Sequence, residues 1–232
     1  MEKTIVLSLG GSLIFPDKIN VDFLKRFRQI IEKYLSRGFR FFIYCGGGRL
    51  ARDFQQAASS IIELSNEELD WLGIYATRLN AELVKSIFKR HARSVFFGNP
   101  SKKIDSKKKL VIAAGYSPGW STDYDAVMVA RSIGSKEIIN MSSADYVYDK
   151  DPKKFPGSKK IERIGWEDYL KLIDCKWKAG MNAPFDPVAS REAQKLKITV
   201  CIIGNDLVNF ENLLEGKKFK GTIIGKNQPQ SG

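Results

Sequence analysis

The chain contains the stretch Leu110-Val-Ile-Ala-Ala-Gly115-Tyr-Ser-Pro-Gly-Trp-Ser-Thr-Asp-Tyr-Asp-Ala-Val127, in which an apolar run leads through a glycine-rich turn into a helix pattern. The apolar residues predict a buried strand, and the residues after the turn predict a helix start. Backbone N–H groups point outward at a helix N-terminus, where the helix dipole favours negative charge. The stretch therefore predicts an anion site, with the acids Asp123 and Asp125 beside it.

Strand-like and helix-like patterns alternate along the rest of the chain. Strands are predicted at Thr4–Leu9, Arg40–Cys45, Ser94–Phe97, Leu110–Ala114, Glu137–Met141, Thr199–Ile203 and Thr222–Ile224. Helices are predicted at Val21–Ser36, Ala51–Ser60, Asn66–Lys89, Asp125–Ile133, Trp166–Ile173, Pro187–Leu196 and Val208–Leu214, with a polar loop at Val147–Gly157. Continuous apolar strands separated by helices are typical of a mostly parallel sheet covered on both faces, which is an α/β architecture.

The composition is that of an ordinary globular protein, with 43% hydrophobic and 28% charged residues in a chain of 232. Such a length favours one large domain or two small ones. No apolar run is long enough for a membrane span, and the start of the chain lacks a signal-peptide pattern, so we expect a cytoplasmic protein. Because the three cysteines Cys45, Cys175 and Cys201 lie far apart, we expect buried thiols.

The net charge of +12 allows an acidic substrate or a nucleic acid as partner. Aromatic residues do not alternate with the basic ones, as they do on a base-stacking surface. We therefore expect no nucleic acid and no membrane among the partners.

Three glycine clusters follow predicted strands, at Gly10-Gly11-Ser12, Gly46–Gly48 and Gly115–Gly119. In parallel sheets ligands bind beyond the carboxyl ends of the strands, so the clusters predict one shared crevice. The chain has neither a P-loop nor a dinucleotide-binding fingerprint, so any phosphates bind to other glycine loops. Arg52 follows the second cluster by one helical turn, where its guanidinium can clamp a phosphate.

Further acids offer functional and ordinary interpretations. Asp70 is either a ribose ligand or an exposed helical acid. The segment from Asp145 through Tyr148 to Asp151 either holds a ring and its sugar or forms a polar turn. His91 is the only histidine, which excludes a histidine triad and argues against a zinc site. Phosphoryl transfer remains, because it needs positioning and electrostatics rather than a covalent residue.

Together and in this order, the motifs resemble the amino acid kinase family, and within it the uridylate (UMP) kinases of archaeal type. They are Gly10-Gly11-Ser12, Gly46-Gly47-Gly48-Arg49-Leu-Ala-Arg52, Asp70-Trp-Leu-Gly-Ile-Tyr-Ala-Thr77-Arg-Leu-Asn80, Pro118-Gly-Trp-Ser-Thr122-Asp123, Asp145-Tyr-Val-Tyr148-Asp-Lys-Asp151-Pro152 and Gly221-Thr222-Ile223-Ile224. The resemblance runs from Ile5 to about Ile224. Each motif alone is weakly specific, whereas their joint occurrence is highly specific.

The resemblance implies a three-layer αβα sandwich, a homohexamer, and transfer of phosphate from Mg-ATP to UMP. It implies a single domain with an acceptor half at about 1–135 and an ATP half at about 136–225, while residues 226–232 have the composition of a loose tail. The catalytic residues that it implies are Asp123 and Arg52. Those for ATP are Gly11, Ser12, Gly48, Arg52, Ser142, Tyr148 and Asp151. Those for UMP are Gly47, Asp70, Tyr116, Ser117, Pro118, Gly119, Trp120, Ser121 and Thr122. Mg²⁺ would enter with ATP, and no residue is assigned as its ligand.

The chain departs from the family pattern at a few positions. Ser8 stands where the family usually has a lysine, and Tyr116 and Trp120 stand where smaller or polar residues are usual. Many relatives place a lysine in the glycine-rich segment that matches Lys178-Ala-Gly-Met-Asn182; here Lys178 precedes the glycine and Asn182 follows it. Asp125 falls where relatives carry small residues and is interpreted as a first-turn helix acid.

Three alternatives to a uridylate kinase stay open. The same fold can serve a small carboxylate or phosphate acceptor, although Asp70 favours a nucleotide. Ser8 and the altered loop allow a nucleotide-binding regulator without catalysis. A nucleic-acid-binding module is the weakest interpretation.

Overall fold

The computed structural model describes residues 3–92, 94–102, 104, 108–150, 152, 154–173 and 183–225. The predictions for Asp151, Cys175, Lys178 and the tail 226–232 lie outside these residues. Among the described residues, no helix is both long and apolar enough to cross a membrane. Cys45 and Cys201 are buried thiols, as predicted.

A seven-stranded sheet forms the centre of the molecule. The strands are β1 Thr4–Leu9, β2 Arg40–Cys45, β3 Leu110–Ala113, β4 Glu137–Met141, β5 Val147–Tyr148, β6 Lys160–Ile161, β7 Arg163–Ile164, β8 Thr199–Ile203 and β9 Thr222–Ile224. The sheet order is β3-β2-β1-β4-β8-β9-β7, and β5 pairs with β6 in a separate antiparallel ribbon. All neighbours in the large sheet run parallel except β8 and β9. The parallel strands β3, β2, β1, β4 and β8 therefore end at one common edge.

Helices cover both faces of this sheet. They are α1 Gly11–Ile14, α2 Val21–Ser36, α3 Gly48–Ser59, α4 Asn66–Phe88, α5 Thr122–Ser132, α6 Trp166–Leu172, α7 Pro187–Lys195 and α8 Leu207–Leu214, with a short 3₁₀ turn at Lys89–His91. One apolar core joins α2, α4 and α8 to the sheet, and a second joins α5, α6 and α7 to its other face. Side chains alternate accordingly along β1, since Leu7 enters the first core and Val6 the second. The predicted αβα sandwich is confirmed.

Local signals explain where several helices begin and end. Ser65 caps α4 and exchanges hydrogen bonds with Glu68, which forms a capping box. Gly38 follows α2 with a φ of 90°, as expected for a C-terminal glycine. The predicted starts of α3 and α5 were wrong, each by three residues. Helix α3 begins at Gly48, within the glycine cluster, and α5 begins at Thr122, directly after its cap Ser121.

Two predictions around the short strands were also wrong. The segment Ser94–Phe97 forms an isolated bridge between Phe96 and Ala113 instead of a strand. The predicted loop Val147–Gly157 begins with strand β5, which pairs with β6. Both segments are too short for their residue pattern to distinguish a strand from a loop.

Candidate active site

The first two glycine clusters pack backbone against backbone at the carboxyl edge of the sheet. Because β1 and β2 are neighbours, the N–H of Gly46 donates to the carbonyl of Leu9 at 2.9 Å. A Cβ atom added to Gly11 would lie 2.3 Å from the carbonyl oxygen of Gly46 and 2.5 Å from the nitrogen of Gly48. No side chain fits between them, so the two loops form one closely packed backbone cradle.

A side chain from α4 fixes the second cluster from behind. The Nδ2 group of Asn80, which is buried, donates to the carbonyls of Gly46 at 2.9 Å and Gly47 at 3.2 Å. Gly48 has a φ of 61°, a conformation that glycine adopts without strain. These contacts hold the loop in the shape that begins α3.

The first turn of α3 carries basic but no acidic residues. Arg49 pairs with Asp53 at 3.2 Å, whereas Arg52 is exposed and has no ion-pair partner within the described residues. Basic residues oppose the dipole at this end of a helix, so their presence favours a bound anion. Arg52 thus stays a predicted phosphate ligand, one turn beyond the cradle.

Asp123 lies at the start of α5 and receives three hydrogen bonds. Its Oδ1 accepts from the hydroxyl of Ser8 at 2.7 Å and from Nδ2 of Asn140 at 2.9 Å, and its Oδ2 accepts from the backbone N–H of Asp186 at 3.2 Å. The sheet register makes this possible, since Ser8 of β1 and Asn140 of β4 lie side by side. The carboxylate therefore sits at the centre of the carboxyl edge, held by neutral donors.

The environment of Asp123 acts on its ionisation in opposite directions. Burial raises the pKa of Asp123 to about 6; the bond from Ser8 lowers it, the charge of Asp186 raises it, and the remaining hydrogen bonds lower it. The group is consequently mostly ionised at neutral pH and titrates close to it. A carboxylate with this property, in a cleft, is a candidate for the reacting centre.

The third glycine cluster is anchored to α4. The N–H of Gly115 donates to Oγ1 of Thr77 at 2.9 Å, and the N–H of Gly119 donates to Oδ2 of Asp70 at 2.7 Å. The structure thereby brings Asp70 to the loop predicted to bind the acceptor. One carboxylate oxygen of Asp70 accepts the Gly119 N–H, so a ribose hydroxyl would have to donate to a carboxylate that also binds the loop.

The loop itself contains a tight turn. The N–H of Trp120 donates to the carbonyl of Ser117 at 3.1 Å, and Gly119 has a φ of 79°. Proline at the second position and a glycine of positive φ at the third are the features of a type II turn. Pro118 and Gly119 are therefore explained by the backbone, whether or not they also touch a ligand.

An aromatic cluster covers the end of this loop. The ring of Trp120 packs edge-on against Tyr116, with centroids 5.4 Å apart, and against Tyr124, with centroids 4.7 Å apart. Ser121 caps α5 by accepting from the N–H of Tyr124 at 3.1 Å, and Thr122 is the first residue of the helix. The two aromatic residues that depart from the family pattern thus stabilise each other.

The residues that are predicted to bind ATP lie on several different elements. Ser12 belongs to α1, directly after the cradle. Ser142 follows β4 and lies beside Gly10, where an added Cβ would be 3.3 Å from the Cα of Ser142. Tyr148 lies on β5, in the separate ribbon, which the Thr222 hydroxyl ties to the main sheet by accepting from the N–H of Val147 at 2.8 Å.

The sequence interpretation assigned no role to several residues that hold the site together. Asn140 and Asp186 hold Asp123, while Thr77 and Asn80 hold two glycine loops. Asn140 had a usable signal, because it is a polar residue within an apolar strand. The role of Asp186 had none, since Asp-Pro before a helix indicates only a cap.

Comparison with known proteins places this geometry in context. Residues 3–204 match the model of the amino acid kinase family. A uridylate kinase of Thermoplasma acidophilum is 33% identical over 98% of this chain and 99% of its own length. One of Thermoplasma volcanium is 34% identical over 97% and 98%. The crystal structure of uridylate kinase from Archaeoglobus fulgidus has a TM-score of 0.79 at 28% identity and covers 96% of this chain and 99% of that one.

Proposed function

The chain belongs to the amino acid kinase family, and on that basis we propose that it is a uridylate kinase, which converts ATP and UMP to ADP and UDP. The observation that carries the proposal is the convergence of three glycine loops and Asp123 at one edge of the sheet. The names of full-length relatives support UMP as the acceptor. We further propose a cytoplasmic role in pyrimidine nucleotide biosynthesis.

In this proposal the chain acts by positioning two anionic substrates. Backbone N–H groups around Gly11 and Gly48 bind the donor phosphates, with Ser12, Ser142, Tyr148 and Asp151 on the ATP side. Arg52 clamps the phosphates where the two substrates meet and stabilises charge on the transferring group. Ser8 has no positive charge. Arg52 and the backbone N–H groups therefore stabilise the transferring phosphoryl group, as a lysine does in the wider family.

The acceptor half, at about 1–135, is proposed to bind UMP, and the half at about 136–225 to bind ATP. Asp70 and Gly47 lie on the acceptor side, together with the loop from Tyr116 to Thr122. Asp70 favours a nucleotide over a short acyl acceptor, because a ribose hydroxyl can donate to its carboxylate. In-line attack then requires that the acceptor phosphate lie opposite the donor across Arg52 and Asp123.

The donor set at the centre fits Mg²⁺. Both Asp123 and Asp186 offer carboxylates, and the buried Oδ1 of Asn140 has no hydrogen-bond partner among the residues that the structure describes. Within the described residues no group of three or more His, Cys, Asp or Glu side chains could hold a metal. Mg²⁺ is usually held by one or two carboxylates together with substrate phosphates, which agrees with such a sparse set. When bound, it would neutralise phosphate charge.

The first prediction concerns the acceptor. With ATP and Mg²⁺, we expect turnover with UMP, weaker turnover with CMP or dUMP, and none with acetylglutamate, carbamate or isopentenyl phosphate. A coupled assay of ADP release measures this. Asp70→Asn keeps the size of the side chain and should raise KM for UMP by roughly tenfold, since a hydrogen bond to a charged group contributes about 1.5–3 kcal/mol.

Each other outcome of that assay points to a different interpretation. Turnover with one of the small acceptors would replace UMP within the same fold. Nucleotide binding by calorimetry without any turnover would favour the regulator. Absence of turnover with millimolar UMP would end the proposal of a uridylate kinase.

We also propose a homo-oligomer, with a hexamer as the expected form. Helix α4 exposes Tyr75 and Leu79 by 61% and 62%, and Trp71 lies one turn earlier on the same face. Phe97 extends this surface, because the guanidinium of Arg78 lies over its ring at 4.9 Å and over that of Tyr75 at 5.5 Å. Large contiguous apolar surfaces of this kind are typical of interaction sites.

The second prediction tests this surface. The double variant Tyr75→Glu with Leu79→Glu should reduce the molar mass in solution, measured by light scattering, to that of a smaller species. Buried negative charges would oppose each other in a symmetric contact. Val208→Glu is the matched control, since Val208 is equally exposed at 58% but lies on α8. An unchanged mass in the double variant would exclude this face.

A further inference from the structure

Asp125 is a buried acid that the proposed mechanism does not use. It lies in the first turn of α5 and is 0% exposed. Its Oδ2 accepts the backbone N–H of Tyr116 at 3.1 Å, at the start of the acceptor loop. Its Oδ1 has no hydrogen-bond partner in the described part of the chain. Burying a carboxyl group with a single hydrogen-bond partner costs folding free energy, so the presence of Asp125 at this position requires an explanation.

A second buried polar atom lies near Asp125. The hydroxyl of Tyr44, on β2, is likewise buried without a hydrogen-bond partner among the described residues. Burial and then the charge of Asp125 raise the pKa of Tyr44, so the two groups interact electrostatically.

The third anchor of the acceptor loop differs from the other two. Thr77 and Asp70, which hold Gly115 and Gly119, both belong to α4. Asp125 instead connects the loop to α5, and the same helix carries Asp123 two residues earlier. A change at Asp125 would therefore alter the position of the acceptor loop relative to Asp123.

We propose that Asp125 is a positioning residue, whose buried carboxyl group accepts the Tyr116 amide and so fixes the acceptor loop, residues 115–121, on the helix that carries Asp123. The inference rests on the proposed function, because that function makes this loop the acceptor side. Its consequence is that acceptor binding depends on a residue that touches no substrate.

The third prediction compares two substitutions. Asp125→Asn preserves the size of the side chain and a carbonyl for the Tyr116 amide, so KM for UMP should stay within about twofold of wild type at pH 7. Asp125→Ala should raise KM for UMP by about 5–10-fold and leave KM for ATP unchanged. Asp22→Asn, a first-turn acid of α2 that is exposed, is the matched control.

Hydrogen exchange gives a readout that needs no turnover. The Tyr116 amide should exchange faster in Asp125→Ala and at the wild-type rate in Asp125→Asn. Equal rises of both KM values in Asp125→Ala, or an unchanged exchange rate at Tyr116, would overturn the positioning role. A failure of UMP as substrate leaves the exchange result intact, so the two proposals are separable.

Discussion

Gly11→Ala is expected to lower kcat/KM by at least about 100-fold, because displacing reacting groups by about 1 Å can cost that much. The new Cβ would lie 2.3 Å from the carbonyl oxygen of Gly46 and 2.5 Å from the carbonyl carbon of Gly47. Both contacts are with backbone, which cannot rotate away. The two loops would have to separate, and the N–H groups proposed to bind phosphate would separate with them.

The surrounding bonds resist that separation. The Gly46 N–H is held by Leu9, and Asn80 holds the carbonyls of both Gly46 and Gly47. Each of these hydrogen bonds contributes about 1 kcal/mol. We therefore expect the melting temperature to fall along with activity in Gly11→Ala.

Two glycine controls separate the clash from other effects. Gly157→Ala meets no atom of the described residues and should change neither activity nor stability. Gly134→Ala, after α5, also meets none of them, but its φ of 73° strains an alanine by roughly 1 kcal/mol, so its effect should be small. A Gly11→Ala enzyme that kept its activity within threefold would mean that the cradle does not bind the donor.

The sequence predicted the glycine clusters of the cradle but not their contact. Their position after strands follows from local pattern, as does the common edge of the sheet. The contact between Gly11 and Gly46 depends on β1 and β2 being neighbours, which no local pattern determines. The same holds for Asn80, whose partners are more than thirty residues away.

The two acids of α5 show a second limit. Asp123 and Asp125 both lie in the first turn, where acids suit the helix dipole. In the structure Asp123 accepts hydrogen bonds from three donors, whereas Asp125 is buried and accepts a hydrogen bond from one donor. Which acid meets which strand depends on how α5 is rotated against the sheet, and that rotation is set by packing rather than by sequence spacing.

The acid with three donors leads to the fifth prediction. Asp123→Asn should lower kcat by about 100- to 1000-fold, the loss typical when one electrostatic group at a reacting centre is removed. The asparagine keeps the size of the side chain but loses its charge. With its oxygen placed toward Ser8 and Asn140, its NH₂ group would face the N–H of Asp186, so two donors would oppose each other.

The pH dependence distinguishes a catalytic from a structural role for Asp123. Since the pKa of Asp123 is raised to about 6, kcat of the wild type should fall below about pH 6, where the carboxylate takes up a proton. That limb should be absent from the residual activity of Asp123→Asn. The measurement is kcat against pH from 5 to 9, with Asp168→Asn, an exposed acid of α6, as control.

Stability should change in the opposite direction to activity. A folded pKa raised from 3.8 to about 6 means that the folded state holds this proton more tightly than the unfolded chain. Stability from this group is therefore present at acid pH and is lost as the pH rises through about 4 to 6, by roughly 3 kcal/mol. The asparagine does not ionise, so this loss of stability is absent from Asp123→Asn. Near pH 7 its melting temperature should therefore equal or exceed that of the wild type, unless the two opposed donors cost more free energy than is gained. Low activity of Asp123→Asn without a loss of stability would indicate that Asp123 serves the reaction and does not stabilise the fold. Wild-type kcat in Asp123→Asn would remove Asp123 from the mechanism.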